Sequence, residues 1–470
     1  MTTSSQSKSN FNTRVKDLQN QLPDLLISED VDDLKNYGRD WTRFIEPKPC
    51  AVVFPRSTEE VQSLVRWAKD KQQALVPSGG RTGLSGGAVA ADGELVVSLD
   101  KMRNIISFNA DDRLLHVQAG VTTAAVHAAA VEQGLFYPVD FASSGSSQIG
   151  GNVATNAGGI RVLRYGLTRE QVRGLTVVTG TGERLDLNQG LIKNATGYDL
   201  RHLMIGSEGT LGIITEVTLA LVSPPPPLGV MLLGLTGIGD IMPVFNACRH
   251  AGRLTAFEFF TQACVEQVCA AHGLKAPLDE VCDCYVLLEF EQATEADEAQ
   301  MLAAFEQVLE AGYVIDGVLS QSDSQAEELW RYREWISESI SHRTPYKNDV
   351  SVRIAQVTEF LQSLDQLVTE HYPEFEVLWY GHIGDGNLHM NVLRPEAMSV
   401  HDFHSHSERL TDVVYGEVAR YKGSISAEHG VGILKKDWLH HSRSDAERAL
   451  FMHIKQVFDP SGIMNPGKVI

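Results

Sequence analysis

The stretch Pro77-Ser-Gly-Gly-Arg-Thr-Gly-Leu-Ser-Gly-Gly87 contains five glycines in eleven residues. Because glycine has no Cβ atom, such a loop can turn successive backbone N–H groups toward a pyrophosphate and let it approach closely. Two more glycine-rich stretches follow, Ser143–Gly159 and Gly206–Ile213. Any one of them could simply be a tight turn, but three in succession favour a binding region for a large cofactor.

The residues before the first loop follow a helix–strand–loop pattern. Ser57 and Glu60 have the spacing of a capping box, and apolar residues then recur at helical spacing from Val61 to Ala68. The apolar strand Ala74–Val76 leads from this helix into the glycines. This succession is typical of an α/β nucleotide-binding unit.

The pattern changes at Ser223-Pro-Pro-Pro-Pro227, because four prolines cannot continue a helix or a central strand. Short β-branched runs precede this point, whereas longer amphipathic helices and strands such as Cys284–Phe290 follow it. The predicted parts are a helical lead-in (1–46), a cofactor-binding domain (47–223), an α+β substrate domain (224–422) and a C-terminal segment that returns to the cofactor domain (423–470).

Composition narrows the class of protein. The 470 residues are 43% hydrophobic and 21% charged, as in soluble proteins with more than one core. The net charge of −20 argues against sequence-independent nucleic-acid binding, which needs cationic side chains. Six scattered cysteines fit reduced thiols, and the polar stretch Met1–Val15 carries no secretion signal. We therefore expect a cytoplasmic enzyme.

Two common nucleotide motifs are not satisfied. No Gly-x-Gly-x-x-Gly follows a first strand with an acidic residue suitably downstream, so a Rossmann NAD site is not expected. Gly462–Val469 matches a P-loop except at its last position, where the Ser or Thr that binds Mg²⁺ is missing.

Two histidines lie close together in the second half of the chain. Asp385-Gly386 is a strong signal for a two-residue hairpin turn, which would place His382 directly opposite His389 on one face. The dipeptide Glu428-His429, between small residues, offers a carboxylate as a third ligand. Two histidines and one carboxylate suit Zn²⁺ or a similar divalent ion, although hydrogen-bonded structural histidines are the alternative.

A basic segment could bind carboxylates. Trp330–Ser337 is predicted to be helical, which places Arg333 and Ser337 one turn apart, and Lys347 follows in a turn that leads into a strand. An arginine fork binds a carboxylate with two hydrogen bonds, and a lysine adds a point charge. The alternative is a solvated charged helix face.

Several long stretches resemble the FAD-linked oxidoreductases related to vanillyl-alcohol oxidase and p-cresol methylhydroxylase. They are Pro77–Gly87, Gly145–Gly159 with Arg164-Tyr-Gly166, and Asn194–Ile213, in the family's order. The resemblance implies an α+β fold with a two-part FAD-binding domain of the p-cresol methylhydroxylase type, an α+β substrate (cap) domain and a C-terminal segment packed on the FAD domain. It also implies non-covalent FAD held by Pro77, Gly79, Gly80, Arg81, Thr82, Gly83, Leu84, Ser85, Gly145, Ser146, Gly150, Gly151, Asn152, Thr155, Gly158, Glu208, Gly212, Ile213 and Asn465.

Gly381–His389 and Glu428-His429-Gly430 resemble motifs of D-2-hydroxyglutarate dehydrogenases and their D-lactate and glycolate dehydrogenase relatives. This resemblance implies a divalent metal, expected to be Zn²⁺, bound by His382, His389 and Glu428. It places His429 as the catalytic residue at the substrate. The implied substrate-binding residues are Arg333, Ser337, Lys347, Asn391 and His429.

The expected activity is therefore FAD- and metal-dependent oxidation of D-2-hydroxyglutarate to 2-oxoglutarate. The C2 hydride passes to flavin N5 while His429 accepts the hydroxyl proton. We expect an electron-transfer flavoprotein or a quinone as the acceptor, and a homodimer as an assembly state. Two alternatives stay open: a D-lactate or glycolate dehydrogenase, and a non-catalytic flavoprotein subunit.

Overall fold

The computed structural model describes residues 13–42 and 45–470, apart from the His404 side chain, and divides the chain into two compact units. The first contains residues up to Gly158, Leu167–Pro224 and Glu428–Ile470; the second contains Gly159–Gly166 and Pro225–Ala427. The polyproline run thus lies at a division between units. The predicted C-terminal segment contributes its first five residues, 423–427, to the second unit. The predictions for residues 1–12 lie outside the described residues.

A four-stranded sheet forms one part of the first unit. Its strands are β1 (Leu26–Ser28), β2 (Ala51–Phe54), β3 (Leu75–Ser78) and β4 (Leu95–Ser98), in the order β1-β2-β4-β3. β2, β4 and β3 run parallel, and β1 pairs antiparallel with β2. All residues of β2 and β4 are buried, which explains their uninterrupted apolar sequences apart from Ser98.

An antiparallel five-stranded sheet forms the other part of the first unit. Its strands are β5 (Ile105–Asn109), β6 (Leu114–Gln118), β7 (Val172–Thr179), β8 (Arg184–Leu187) and β9 (Gly212–Ala220), in the order β5-β6-β9-β7-β8. One hydrophobic core includes residues of both sheets and of the helix before β3.

That helix confirms the sequence interpretation. It spans Thr58–Lys71, and the Ser57 side chain accepts a hydrogen bond from the Glu60 N–H. The return bond differs from the expected capping box, because the Glu60 carboxylate accepts from the Arg56 N–H. The other helices of the first unit are residues 13–21, Val31–Tyr37, Thr123–Glu132, Ile149–Thr155, Thr168–Gln171, Arg201–Met204, the 3₁₀ helix Lys436–His441 and Asp445–Phe458.

The second unit is built on an antiparallel seven-stranded sheet. Its strands are β10 (Leu228–Leu235), β11 (Leu254–Thr261), β12 (Cys284–Glu291), β13 (Val314–Leu319), β14 (Tyr346–Ser351), β15 (Glu376–Gly381) and β16 (Asn387–Leu393), in the order β13-β10-β12-β11-β15-β16-β14. β12 contains the strand predicted at Cys284–Phe290.

Helices of the second unit connect these strands. The α-helices are Val162–Tyr165, Ile241–Ala251, Gln262–His272, Glu295–Glu310, Asp323–Glu334, Ile336–Ser339, Val357–His371 and Val400–Arg420. Four short 3₁₀ helices are Ile238–Asp240, Ser341–Arg343, Ile354–Gln356 and Ile383–Asp385. Within the described residues, no helix has the length and apolar character needed to cross a membrane. All six cysteines are free thiols.

Candidate active site

The first glycine loop begins where β3 ends. Pro77 and Ser78 belong to β3, an edge strand where the missing proline N–H breaks no central ladder, so the loop itself starts at Gly79. A Cβ atom on Gly80 would lie 2.1 Å from the Ser146 carbonyl oxygen, which brings the first and second loops into direct contact. Only glycine permits this approach.

The second glycine-rich stretch is not wholly a loop. Ile149–Thr155 forms a helix, in which a Cβ on Gly150 would lie 2.7 Å from that of Ala119. Gly145 and Gly151, by contrast, face open space, so their backbone could lie against a bound group. The Asn152 amide donates to the Thr123 hydroxyl at 2.7 Å, and this contact helps to fix the helix.

Several predicted FAD-binding side chains support the loops themselves. The Arg81 guanidinium donates to the Gly79 carbonyl at 2.8 Å and forms an ion pair with Asp100 at 3.2 Å. The Thr155 hydroxyl donates to the Gly151 carbonyl at 3.0 Å. Gly212 and Ile213 are the first residues of β9, and the Ile213 side chain lies in the hydrophobic core. Arg81 and Thr155 thus hold the backbone of the first two glycine-rich stretches. The three glycine-rich stretches together form the predicted flavin cradle.

Glu208 joins the third glycine loop to the C-terminal segment. Its buried carboxylate accepts hydrogen bonds from the N–H groups of Val431 at 2.6 Å and Gly432 at 2.8 Å. The Asn465 side-chain amide donates to the carbonyl of Glu208 at 2.7 Å and to that of Gly87 at 2.9 Å. Burial raises the pKa of the Glu208 carboxyl to about 7, although the two N–H groups act to lower it.

This raised pKa gives a pH-dependent stability. Between pH 4.5 and about 7 the folded protein holds a proton on Glu208 that the unfolded chain has lost, so stability falls as pH rises. Over this pH range the loss of stability is roughly 3 kcal/mol. We expect Glu208→Gln to lack this component of the pH dependence in urea unfolding, whereas the exposed control Glu132→Gln keeps it. An unchanged pH slope in Glu208→Gln contradicts the assignment.

The same segment carries the proposed catalytic histidine. The Ser85 hydroxyl lies 2.9 Å from the carbonyl oxygens of both His429 and Gly430, so the first glycine loop fixes the backbone of His429. Glu428 lies against Gly158, where a Cβ would come within 2.5 Å of the Glu428 Oε1 atom. Gly158 therefore leaves the space that Glu428 occupies.

In the second unit, His382 and His389 are neighbours, but by a different register from the predicted one. Tyr380, not His382, lies opposite His389, and the turn is the 3₁₀ helix Ile383–Asp385 followed by left-handed Gly386. The predicted two-residue turn and its register are wrong. His382 follows β15 at the start of this turn, and the two imidazole centroids lie 5.4 Å apart.

Two buried carboxylates lie beside these histidines. His382 Nδ1 is 2.8 Å from Glu258 Oε1, and His389 Nδ1 is 3.7 Å from Asp349 Oδ1. The second Glu258 oxygen lies 2.7 Å from the Arg333 Nε atom. Burial acts to raise the pKa of the Glu258 carboxyl, but His382 and Arg333 together hold it below its ordinary value. Both Nδ1 atoms face carboxylates, which leaves each Nε2 atom as the remaining ring nitrogen.

The predicted carboxylate-binding residues form a cluster around Tyr380. The Lys347 ammonium donates to the Ser337 hydroxyl at 2.6 Å, and Lys347 lies opposite Asn391 in the β14–β16 pairing. The Arg333 guanidinium carbon is 5.0 Å from the centre of the Tyr380 ring. Burial raises the pKa of the Tyr380 hydroxyl, which hydrogen bonds with Ser337 and Asn391 lower in part.

The helix that carries this cluster is broken. Asp323–Glu334 ends at Trp335, and a separate short helix, Ile336–Ser339, follows. Arg333 and Ser337 therefore lie on either side of the break, and the prediction of one continuous helix is wrong here.

Sequence comparison identifies the family. Residues 49–188 match the family "FAD binding domain", and residues 225–469 match "FAD linked oxidases, C-terminal domain". The chain is 56% identical over 456 residues to a D-2-hydroxyglutarate dehydrogenase from Xanthomonas citri pv. viticola, covering 97% of this chain and 96% of the relative. The chain belongs to the FAD-linked oxidases.

Other comparisons agree with this membership. A D-2-hydroxyglutarate dehydrogenase from Stutzerimonas stutzeri is 54% identical, with 94% of this FAD-linked oxidase and 96% of the relative covered. The crystal structure of p-cresol methylhydroxylase with substrate bound superposes with a TM-score of 0.79 at 16% identity, covering 98% and 97% of the two chains. At that identity the likeness concerns the fold. The predicted family, the fold class and an FAD-dependent enzyme are confirmed.

Sequence reasoning missed two residues of this FAD-linked oxidase. Glu258 stands within Leu254-Thr-Ala-Phe-Glu-Phe-Phe260, and Asp349 stands in β14, and both are almost fully buried. A charged residue inside a buried strand needs a partner. That mismatch was the available signal, but the partners lie far away in sequence.

Proposed function

We propose that this FAD-linked oxidase converts D-2-hydroxyglutarate to 2-oxoglutarate. The observation that carries the proposal is that the second unit combines two adjacent histidines with two basic residues, buried Arg333 and half-buried Lys347. An arginine and a lysine are suited to a second carboxylate. The 56% and 54% identity to relatives named D-2-hydroxyglutarate dehydrogenase supports the same substrate.

His382, His389 and Glu428 would hold a divalent metal ion, with Zn²⁺ as the expected ion. The fit rests on the histidines: the Glu258 carboxylate at Nδ1 of His382 favours the tautomer that leaves Nε2 to coordinate, and the Asp349 carboxylate lies 3.7 Å from Nδ1 of His389. Such an ion supplies Lewis acidity that lowers the pKa of the substrate's 2-hydroxyl. The residues themselves set the position and orientation of the ligand atoms.

The glycine loops fit a non-covalently bound dinucleotide. Gly145 and Gly151 present backbone to open space, while Gly80 and Gly150 permit close packing behind it. FAD, when bound, supplies the acceptor for the C2 hydride. Ser85, Glu208 and Asn465 keep the loops and the His429 backbone in place.

Side chains carry out proton transfer and substrate binding. His429 takes the proton of the 2-hydroxyl, a task suited to an imidazole because it titrates near neutral pH. Arg333 and Lys347 bind the distal carboxylate, with Ser337 holding the lysine ammonium. Asn391, whose buried Oδ1 has no hydrogen-bond partner within the described residues, is suited to accept a hydrogen bond from substrate.

A substrate panel tests this proposal. The purified protein is assayed with D-2-hydroxyglutarate, D-malate, D-lactate and glycolate, before and after metal removal by a chelator. We expect the highest kcat/KM with D-2-hydroxyglutarate. Removal of the metal should abolish activity while the flavin stays bound, and addition of Zn²⁺ should restore activity. Equal kcat/KM for D-lactate contradicts the dicarboxylate assignment, and full activity of metal-free protein contradicts the metal.

We also propose that the electrons leave through an electron-transfer flavoprotein or a quinone, and that the protein is a cytoplasmic homodimer. Reoxidation of the reduced flavin by each purified acceptor distinguishes the two carriers. Light scattering gives the oligomeric state and cell fractionation the location; a monomer or an enzyme outside the cytoplasm contradicts the respective part.

A further inference from the structure

Glu258 lies in the second unit between the proposed metal ligand His382 and the proposed substrate-binding residue Arg333. It lies in β11 with only 1% of its surface exposed. One carboxylate oxygen is 2.8 Å from His382 Nδ1, and the other is 2.7 Å from Arg333 Nε. One buried anion thus contacts both a proposed metal ligand and a proposed substrate-binding residue.

The chemistry of these contacts explains what the carboxylate does. A carboxylate at Nδ1 keeps the proton on that nitrogen, so that Nε2 carries the lone pair that coordinates a metal. The ion pair with Arg333 fixes the guanidinium, which also lies over the Tyr380 ring. The two contacts use different oxygens of the carboxylate, so His382 and Arg333 do not compete for the same acceptor atom.

We propose that Glu258 is a positioning residue that sets metal affinity through His382 and selectivity for a second carboxylate through Arg333. The inference rests on the proposed function, because it assumes a metal at His382 and a dicarboxylate substrate. A glutamine cannot replace Glu258, since it has one acceptor oxygen and its amide would point donor hydrogens at one of the two partners.

The chain offers a matched control in Glu289. This residue lies in β12, next to β11, and the pairing of Ala256 with Glu289 places it on the same face of the sheet as Glu258. It is also buried, and it forms an ion pair with Arg161 at 2.9 Å and accepts from Thr255 at 2.7 Å. Among the described residues its ion pair and hydrogen bonds involve no histidine, so Glu289→Gln removes a buried ion pair without removing a contact of His382.

The test measures Zn²⁺ affinity of the FAD-loaded protein by competition with a chromophoric chelator. Glu258→Gln and Glu258→Asp are compared with wild type, Glu289→Gln and His382→Ala. We expect Zn²⁺ binding about 10- to 100-fold weaker in both Glu258 variants and unchanged in Glu289→Gln. The preference for D-2-hydroxyglutarate over D-lactate should also fall in the Glu258 variants alone.

The outcomes separate this inference from the proposed function. If wild type and His382→Ala bind Zn²⁺ equally, the metal site itself is wrong, and so is the inference. If His382→Ala loses Zn²⁺ while both Glu258 variants keep wild-type affinity, only the positioning role is overturned. If neither Glu258 variant accumulates as folded flavoprotein although Glu289→Gln does, Glu258 acts in folding and the proposed role is likewise rejected.

Discussion

Replacement of His429 by alanine is expected to slow substrate-dependent flavin reduction by about 10²- to 10⁴-fold, the range for loss of a general base. The flavin itself should stay bound. The reason is that Ser85 and Glu208 contact the backbone of the 429–432 segment rather than the His429 ring. The imidazole can therefore be removed while the cradle keeps its supports.

Anaerobic stopped-flow mixing with D-2-hydroxyglutarate measures this step directly, because it follows flavin absorbance without a second electron acceptor. His440→Ala is the control, since His440 is exposed in the same C-terminal segment. It should reduce at the wild-type rate. Bleaching of His429→Ala at the wild-type rate would remove His429 from the chemistry.

Replacement of Lys347 by methionine is expected to lower kcat/KM for D-2-hydroxyglutarate by about 10- to 150-fold. That range corresponds to the roughly 1.5–3 kcal/mol of a hydrogen bond to a charged group. Methionine keeps a long stem but removes the ammonium that contacts Ser337 at 2.6 Å. D-Lactate has no second carboxylate, so its kcat/KM should stay near the wild-type value.

Steady-state kinetics with both substrates checks this prediction within one protein sample. Arg331→Met is the control, because it also removes a cation near this helix, and the Arg331 guanidinium lies over the Trp335 ring, 5.4 Å from its centre. It should leave both kcat/KM values unchanged. An equal loss for both substrates in Lys347→Met would indicate a general structural effect.

Local signals predicted the parts of the fold that depend on neighbours in sequence. Ser57 and the apolar spacing from Val61 to Ala68 located a helix, because capping and amphipathic burial act within a few residues. The division between the two units falls within the proline run after Ser223.

The histidine pair shows where such signals end. Asp385-Gly386 indicated a turn, but a longer turn moved the β15–β16 register by two residues. His382 is no longer part of β15 but opens the turn, and its ring still lies 5.4 Å from that of His389. The sequence analysis therefore predicted correctly that His382 and His389 are neighbours, although the β15–β16 register from which it inferred this is wrong.

Long-range partners were beyond sequence reasoning. Glu258 contacts His382 across 124 positions and Arg333 across the sheet, and no local pattern links these residues. The helix that was expected to join Arg333 and Ser337 is interrupted at Trp335, and no local sequence signal marks that break. In the sequence, the only indication of such a contact is a charged residue within an apolar strand, because a buried charge needs a partner.

The contact of Asn465 with Gly87 joins positions 378 residues apart. Because a polypeptide is synthesised from its N-terminus, the first glycine loop is made long before Asn465. A nascent chain that has not yet reached Asn465 therefore lacks the amide that supports both Gly87 and Glu208. We expect a chain truncated before Asn465 to contain both glycine loops without this support.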